Sequence, residues 1–190
     1  MVFLFCCANI DLANRGSVAF FKLVAILFLL RVWLQLVKAD YYNPASQFVV
    51  RLTHPVIGPL RRFIPPLGLL DSASLLLAIA TVVIGLTVRL LVAGADIPLF
   101  AVLLATPLQL LGLVLDLLFY VLIARAILSW FSQGYNPVEQ VMAQLTEPLL
   151  APIRRLIPPI GGLDLSVMAL LFLLYLLRNY LLPDLFGVRI

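Results

Sequence analysis

Of 190 residues, 64% are hydrophobic and 12% charged, too little polar surface to enclose a soluble core of this size. The composition excludes an ordinary soluble domain and reads as an integral membrane protein. A net charge of +4 does not point to nucleic acid, because the basic residues stand singly or in pairs beside apolar stretches, where anionic lipid headgroups would meet them.

The first 17 residues form an N-terminal extension. Its opening, MVFLFCCANI, has no basic n-region and no small-residue cleavage site, and ten residues are too few to cross a bilayer. It reads as an unstructured or interfacial lead-in, or as a start codon placed too early. Cys6 and Cys7 are adjacent, a spacing that suits neither a disulfide nor a metal cage.

Crossing a bilayer takes about 20 apolar residues in a helix, and four stretches offer that length. The first is Val18 to Val37, whose Lys22 and Arg31 stand near opposite ends and can snorkel to the interfaces. A proline-rich block from Tyr42 to Asp71 follows, then a second span, Ser72 to Val92, with Arg89 near its far end. Residues 93–107 connect to the third span, Leu108 to Phe131, anchored at the interface by Trp130 and Phe131. Within that connection, IPLFAVLLATP is either an early turn of the third helix, bent at Pro107, or a separate interfacial segment. A second block, Tyr135 to Asp164, precedes the fourth span, Leu165 to Leu182, and residues 183–190 form a tail.

The two blocks are copies of one another. Residue for residue at a spacing of ninety-three, sixteen of thirty positions are identical. The chain is therefore predicted to be an all-α membrane protein of two units, 18–92 and 108–182, each a helix, a block and a helix. An even number of spans separates equivalent points, so the repeat is parallel rather than inverted, with both blocks on one side of the membrane. Lys38, Arg51, Arg61, Arg62, Arg154 and Arg155 fall in the blocks or just before the first. The positive-inside rule then places the blocks in the cytoplasm and both termini outside.

Each block opens on Asn-Pro, a helix start with Asn43 or Asn136 as N-cap and proline at the first helical position. In the short helix that follows, Phe48, Val49, Leu52 and Val56 share an apolar face, and Ser46, Gln47, Arg51 and His54 share a polar one, the pattern of an in-plane amphipathic helix. Pro55 and Pro59, like Pro148 and Pro152, are expected to break it. A second short turn then holds Arg61, Arg62, Arg154 and Arg155 at phosphate depth, as lipid anchors or as a docking site for a membrane or cytoplasmic protein. Asp71 and Asp164 read as caps of the following spans, or as partners for those arginines.

Asp116 stands apart. A carboxylate in the middle of a span costs roughly 2.5–3.5 kcal/mol on insertion scales, so it needs an arginine from another span, a hydroxyl such as Thr87 or Tyr120, or a place on an ion path. His54, the only histidine, has Glu147 as its counterpart, which argues against a metal or haem role. No phosphate loop, HExxH, GxSxG or Ser/His/Asp set is present, so neither an enzyme nor a bound cofactor is expected.

The twice-repeated pattern YNPxxQ…LTxPxxxPxRRxIPPxGxxD, with LSWF and Arg125 ahead of the second copy, resembles the bacterial YggT family and its YlmG-type relatives in chloroplasts and gram-positive bacteria. The resemblance covers roughly Val18 to Leu182. It implies an integral inner-membrane protein, loosely linked to osmotic stress tolerance, cell division and envelope organisation, and in plastids to assembly of a membrane cytochrome and to nucleoid organisation. Two functions follow as expectations. One is a non-enzymatic assembly or scaffold factor in envelope homeostasis, recruiting partners through the basic blocks. The other is a small ion channel or osmotic-stress transporter built around Asp116, which with four spans per protomer would need to be an oligomer.

Overall fold

The computed structural model describes residues 2–66, 68, 70–96, 98–131, 136–156 and 164–181, with side chains placed from Gly16 onward except at Trp130, Phe131, Leu156 and Leu181. Its elements in order are α1 (Val2–Leu36), α2 (Pro44–Leu60), α3 (Ser72–Val92), α4 (Leu99–Phe131), α5 (Pro137–Leu156) and α6 (Leu165–Leu176), the last continuing as a π-helical turn, Leu177–Leu181. Among the described residues there is no strand. Three helical stretches, Gly16–Leu36, Ser72–Val92 and Leu99–Ser129, are long and apolar enough to cross a membrane. The expected fourth span is apolar over Leu165–Tyr180, a shorter run. At 1.5 Å per residue that run covers about 24 Å.

Several elements extend beyond their predicted limits. Helix α1 begins at Val2 instead of Val18, so the lead-in is helical. Helix α4 absorbs IPLFAVLLATP from Leu99 onward and carries Pro107 inside it, which decides between the two readings of that segment. The amphipathic helices run straight through their prolines, α2 through Pro55 and Pro59 and α5 through Pro148 and Pro152. The expected break does not occur. All four prolines are exposed. Spaced four apart, each pair lies on one outward face, and the carbonyls that lose an N–H partner there do not become buried orphans. The PPIGG turn of the second block lies outside the described residues.

The faces of α2 also differ from expectation. Ser46, Val49, Thr53 and Ile57 are the buried stripe, whereas Phe48, Leu52 and Val56 point outward. The helix therefore has three stripes, with Gln47, Arg51 and His54 as the third, and its inward stripe is half polar because an arginine of α1 has to be met there.

Packing divides into two cores. The larger joins Ala25, Phe28 and Leu29 of α1 to Ala78 and Val82 of α3, Leu113 and Leu117 of α4, Ile57 of α2 and Leu145 of α5. The smaller joins Leu122 of α4 and Leu150 of α5 to Val167, Leu170 and Leu174 of α6. The outer faces of α3 and α4, including Leu76, Ile84, Leu103 and Leu111, stay exposed and apolar, as lipid-facing surfaces do.

Helices α1 and α3 make the most extensive contact in the molecule. It depends on Gly85, where an added Cβ would stand 2.9 Å from Phe21 Cβ. Gly85→Ala is accordingly expected to lower stability by about 1–3 kcal/mol through overpacking, read as a lower melting temperature of the purified protein in detergent.

Both α1 and α3 end in the same left-handed turn. Gly94 occupies the left-handed position after α3 (φ 64°), with Ala95 N–H bonded to Leu90 O at 3.0 Å. After α1 the position is held by Lys38 (φ 52°), with Ala39 N–H bonded to Leu34 O at 2.9 Å. Glycine takes this conformation without strain and lysine does not.

Candidate functional site

Each half turns one arginine of its first long helix onto the amphipathic helix that follows. In the first half, Arg31 (5% exposed) donates from Nη1 to Thr53 Oγ1 at 2.5 Å and to Val50 O at 3.2 Å. In the second, Arg125 Nη1 donates to Thr146 Oγ1. Thr53 and Thr146 are the same repeat position. Each hydroxyl spends its proton on a carbonyl one turn back, on Val49 or Met142, both at 2.7 Å. Its lone pairs are thereby left to accept the guanidinium.

A carboxylate at the head of the next long helix completes each cluster. Asp71, fully buried, receives Arg61 Nη2 at 2.6 Å and Ser74 Oγ at 2.7 Å on Oδ2, with Arg31 Nε 3.4 Å away. Its Oδ1 has no hydrogen-bond partner among the described residues. Asp71 stands at the N-cap of α3, where its backbone carbonyl accepts Leu75 N–H at 3.0 Å but its carboxylate bonds to none of the helix N–H groups. The expected side-chain cap is absent in this half, where Oδ2 is turned to Arg61 and Ser74. Asp164 serves both purposes: Oδ1 accepts Ser166 N–H at 3.2 Å, and Oδ2 accepts Arg154 Nη2 at 2.5 Å and Nε at 3.0 Å.

The second half has a further acid. Arg154 Nη1 reaches both oxygens of Glu147, at 2.9 and 3.1 Å, and Arg125 Nη2 lies 3.6 Å from the same carboxylate. Burial alone would raise the Asp71 carboxyl. Hydrogen bonds from Arg61 and Ser74, with the charges of Arg61 and Arg31, outweigh it and hold the group below its usual 3.8. Asp164 is likewise held down, its burial outweighed first by the Arg154 hydrogen bond and charge.

The arginine pairs thus divide. Arg61 and Arg154 turn inward to the carboxylates, and Arg62 and Arg155 face out. Asn43 Oδ1 accepts Ala45 N–H at 2.9 Å, and Asn136 Oδ1 accepts Val138 N–H at 3.0 Å. Asn43 also ties the halves together, donating from Nδ2 to Pro137 O at 2.8 Å. Beside it, Asp40 N–H donates to Gln144 Oε1 at 3.1 Å.

Inside the bundle Asp116 meets an arginine of another helix. Arg178, on the π-helical turn after α6, brings Nε to 2.8 Å from Asp116 Oδ1, without the alignment of a hydrogen bond. Thr87 is not its partner, since that hydroxyl donates to Val83 O at 2.8 Å. Among the described residues no set of His, Cys, Asp and Glu side chains is grouped to hold a metal ion.

Sequence reasoning missed the parts played by Arg31 and Arg125. Arg31 reads as an interfacial anchor, yet it is buried. A signal did exist: Arg31 stands twelve residues before Asn43 and Arg125 eleven before Asn136, an arginine embedded at nearly the same distance ahead of each block.

The CCB3/YggT family model matches residues 16–92 and again residues 104–185. A Vibrio alginolyticus protein termed "Uncharacterized protein in proC 3'region" is 49% identical over 169 residues, 88% of this chain and 91% of its own length. YggT of Escherichia coli K12 is 48% identical over 158 residues, 83% of this chain and 82% of that one. A Haemophilus influenzae relative is 41% identical over 170 residues, 89% of this chain and 91% of its own length. No solved structure matches. With the family model matching in two copies and relatives aligned over most of their length, the chain belongs to the CCB3/YggT family.

Proposed function

We propose that the protein is a non-enzymatic assembly or scaffold factor of the bacterial inner membrane, acting in envelope homeostasis. On this reading α6 and its π-helical turn form a fourth span, the two halves lie parallel, and α2 and α5 rest together on the cytoplasmic face. Support for the fourth span comes from its place: like α3, it follows a block in register and begins at the block's aspartate. The excess of block arginines supports the sidedness.

The observation that carries the proposal is the platform made by α2 and α5. They are tied to each other through Asn43 and Gln144 and clamped to the bundle by one arginine–threonine–aspartate cluster apiece. Positioned so firmly, they turn Phe48, Leu52 and Val56 and the cations Arg62 and Arg155 outward. A rigid surface with apolar and basic stripes suits recruitment of a protein at the headgroup layer better than catalysis. Pairing of Asp116 with Arg178 supports a packing role for that acid over an ion path.

Arg62→Glu with Arg155→Glu is expected to remove crosslinks from a photoreactive residue at position 48 to a neighbouring membrane or cytoplasmic protein. Melting temperature and topology should stay unchanged, since neither arginine enters an ion pair among the described residues. An identical set of crosslinked proteins in wild type and variant would refute the proposal.

A further inference from the structure

The two halves are built alike but charged differently. In the second, Glu147 stands against Arg125 and Arg154, so two guanidiniums face two carboxylates, Glu147 and Asp164. In the first half the equivalent of Glu147 is His54, and among the described residues Arg31 and Arg61 share Asp71 alone, through a single oxygen. A second substitution runs the same way, Ser46 standing where the second half has Glu139.

These exchanges border a cleft of about 400 Å³ lined by Arg31, Lys38, Tyr41, Ser46, His54 and Arg61 among others. That volume is in the range of small-molecule sites, roughly 300–1,000 Å³. Three permanent cations line it, of which Arg31 and Arg61 share the Asp71 carboxylate. Asp40 is not among the lining residues, and its Oδ1 accepts Tyr42 N–H at 2.9 Å. Ser46 Oγ is buried at the cleft without a hydrogen-bond partner among the described residues, a state that polar groups in folded proteins rarely keep. Lys38 reaches the cleft from the left-handed position for which the end of α3 uses glycine, and a strained residue of this kind is commonly retained for function.

We propose that this cleft binds a phosphate-bearing anion, which in the first half takes the place that the Glu147 carboxylate fills in the second. Guanidinium forks, an ammonium and hydroxyl donors are the groups that recognise a tetrahedral phosphate with several acceptor oxygens. A free phosphate and an anionic lipid headgroup share that chemistry. The headgroup source rests on the interfacial placement of α2 proposed above, and the free-anion source does not.

The test uses the full-length protein in a neutral detergent, titrated with inorganic phosphate at constant ionic strength, and the same protein reconstituted with phosphatidylglycerol and phosphatidylcholine in equal parts. His54→Glu supplies the missing carboxylate and should melt no lower than wild type while losing the response to the ligand. Lys38→Gly relaxes the turn, should keep its melting temperature, and should weaken binding about tenfold, the worth of one charge-assisted contact.

Stabilisation of wild type by inorganic phosphate, lost or weakened in these variants, supports a free anion. If inorganic phosphate is silent but wild type retains phosphatidylglycerol over phosphatidylcholine and the variants do not, the ligand is a headgroup. If His54→Glu does not fold, Lys38→Gly decides by the same readouts. The proposal is overturned if neither ligand separates wild type from the folded variants.

Discussion

Asp71→Asn is expected to destabilise the protein by about 3–5 kcal/mol, the usual result of removing one partner from a buried ion pair. The loss is large because Asp71 is fully buried and Arg31 nearly so, leaving Arg31 charged and desolvated, with Thr53 Oγ1 and Val50 O as its remaining partners among the described residues. Arg61 is more than a third exposed and can turn to solvent. Replacing the stranded charge as well, in Asp71→Asn with Arg31→Met, should restore much of the loss. Asp164→Asn should cost only about 1 kcal/mol, because its side chain and that of Arg154 are each 30% exposed and Arg154 keeps Glu147 as a second partner. Thermal unfolding of the purified variants in one detergent measures all three.

The pH dependence follows from the same pairs. Both carboxyls titrate below 3.8 in the folded protein. Their stabilisation is therefore fully present above the unfolded value and is lost as pH falls through the lower folded value. Wild-type melting temperature should be level from neutral pH to about 4 and fall below it, while the Asp71→Asn profile falls less steeply in acid. A wild-type curve that declines between pH 7 and 5 would mean that other groups dominate.

Much of the helical layout is legible in the sequence because it rests on local rules. Long apolar runs give α1, α3 and α4, and the Asn-Pro pairs mark where α2 and α5 begin. Proline was the local rule that misled. Its penalty in a helix interior presumes that the freed carbonyl is buried and the ring clashes, and tertiary packing overrides it where Pro55 and Pro59 face outward.

The inward stripe of α2 could not be read for a different reason. In water an apolar stripe marks the protein-facing side, but a helix beside lipid has two apolar surroundings. Hydrophobicity picks out Phe48, Leu52 and Val56, while the side that touches protein is chosen by Thr53 and its arginine. The clusters themselves join residues from three helices, and no period of 2 or 3.6 connects Arg31 to Asp71. Repetition is the one sequence signal that could: a motif preserved at ninety-three residues invites a search for further matched residues just outside it, and Arg31 with Arg125, one residue out of that register, is such a pair.

Arg178→Ala should be the second severe substitution, costing about 2.5–3.5 kcal/mol, the insertion penalty of an intramembrane acid left without its partner. Asp116 is 9% exposed at its side chain and has Arg178 Nε at 2.8 Å, so truncating the arginine strands the charge in α4. Neutralising both residues, Asp116→Asn with Arg178→Gln, removes the charge together with the need for a partner and should melt close to wild type, as buried pairs exchanged for uncharged groups often do. That recovery separates packing from transport. If Asp116 lies on an ion path, the double variant keeps its fold but abolishes a potassium or proton flux that wild type shows in liposomes under an osmotic or potassium gradient. If Asp116 and Arg178 dock α6 against α4, wild type and double variant are equally silent, and the effect is confined to the melting of Arg178→Ala. The second outcome is expected, because a guanidinium 2.8 Å from the carboxylate both neutralises it and occupies the place a permeating cation would need.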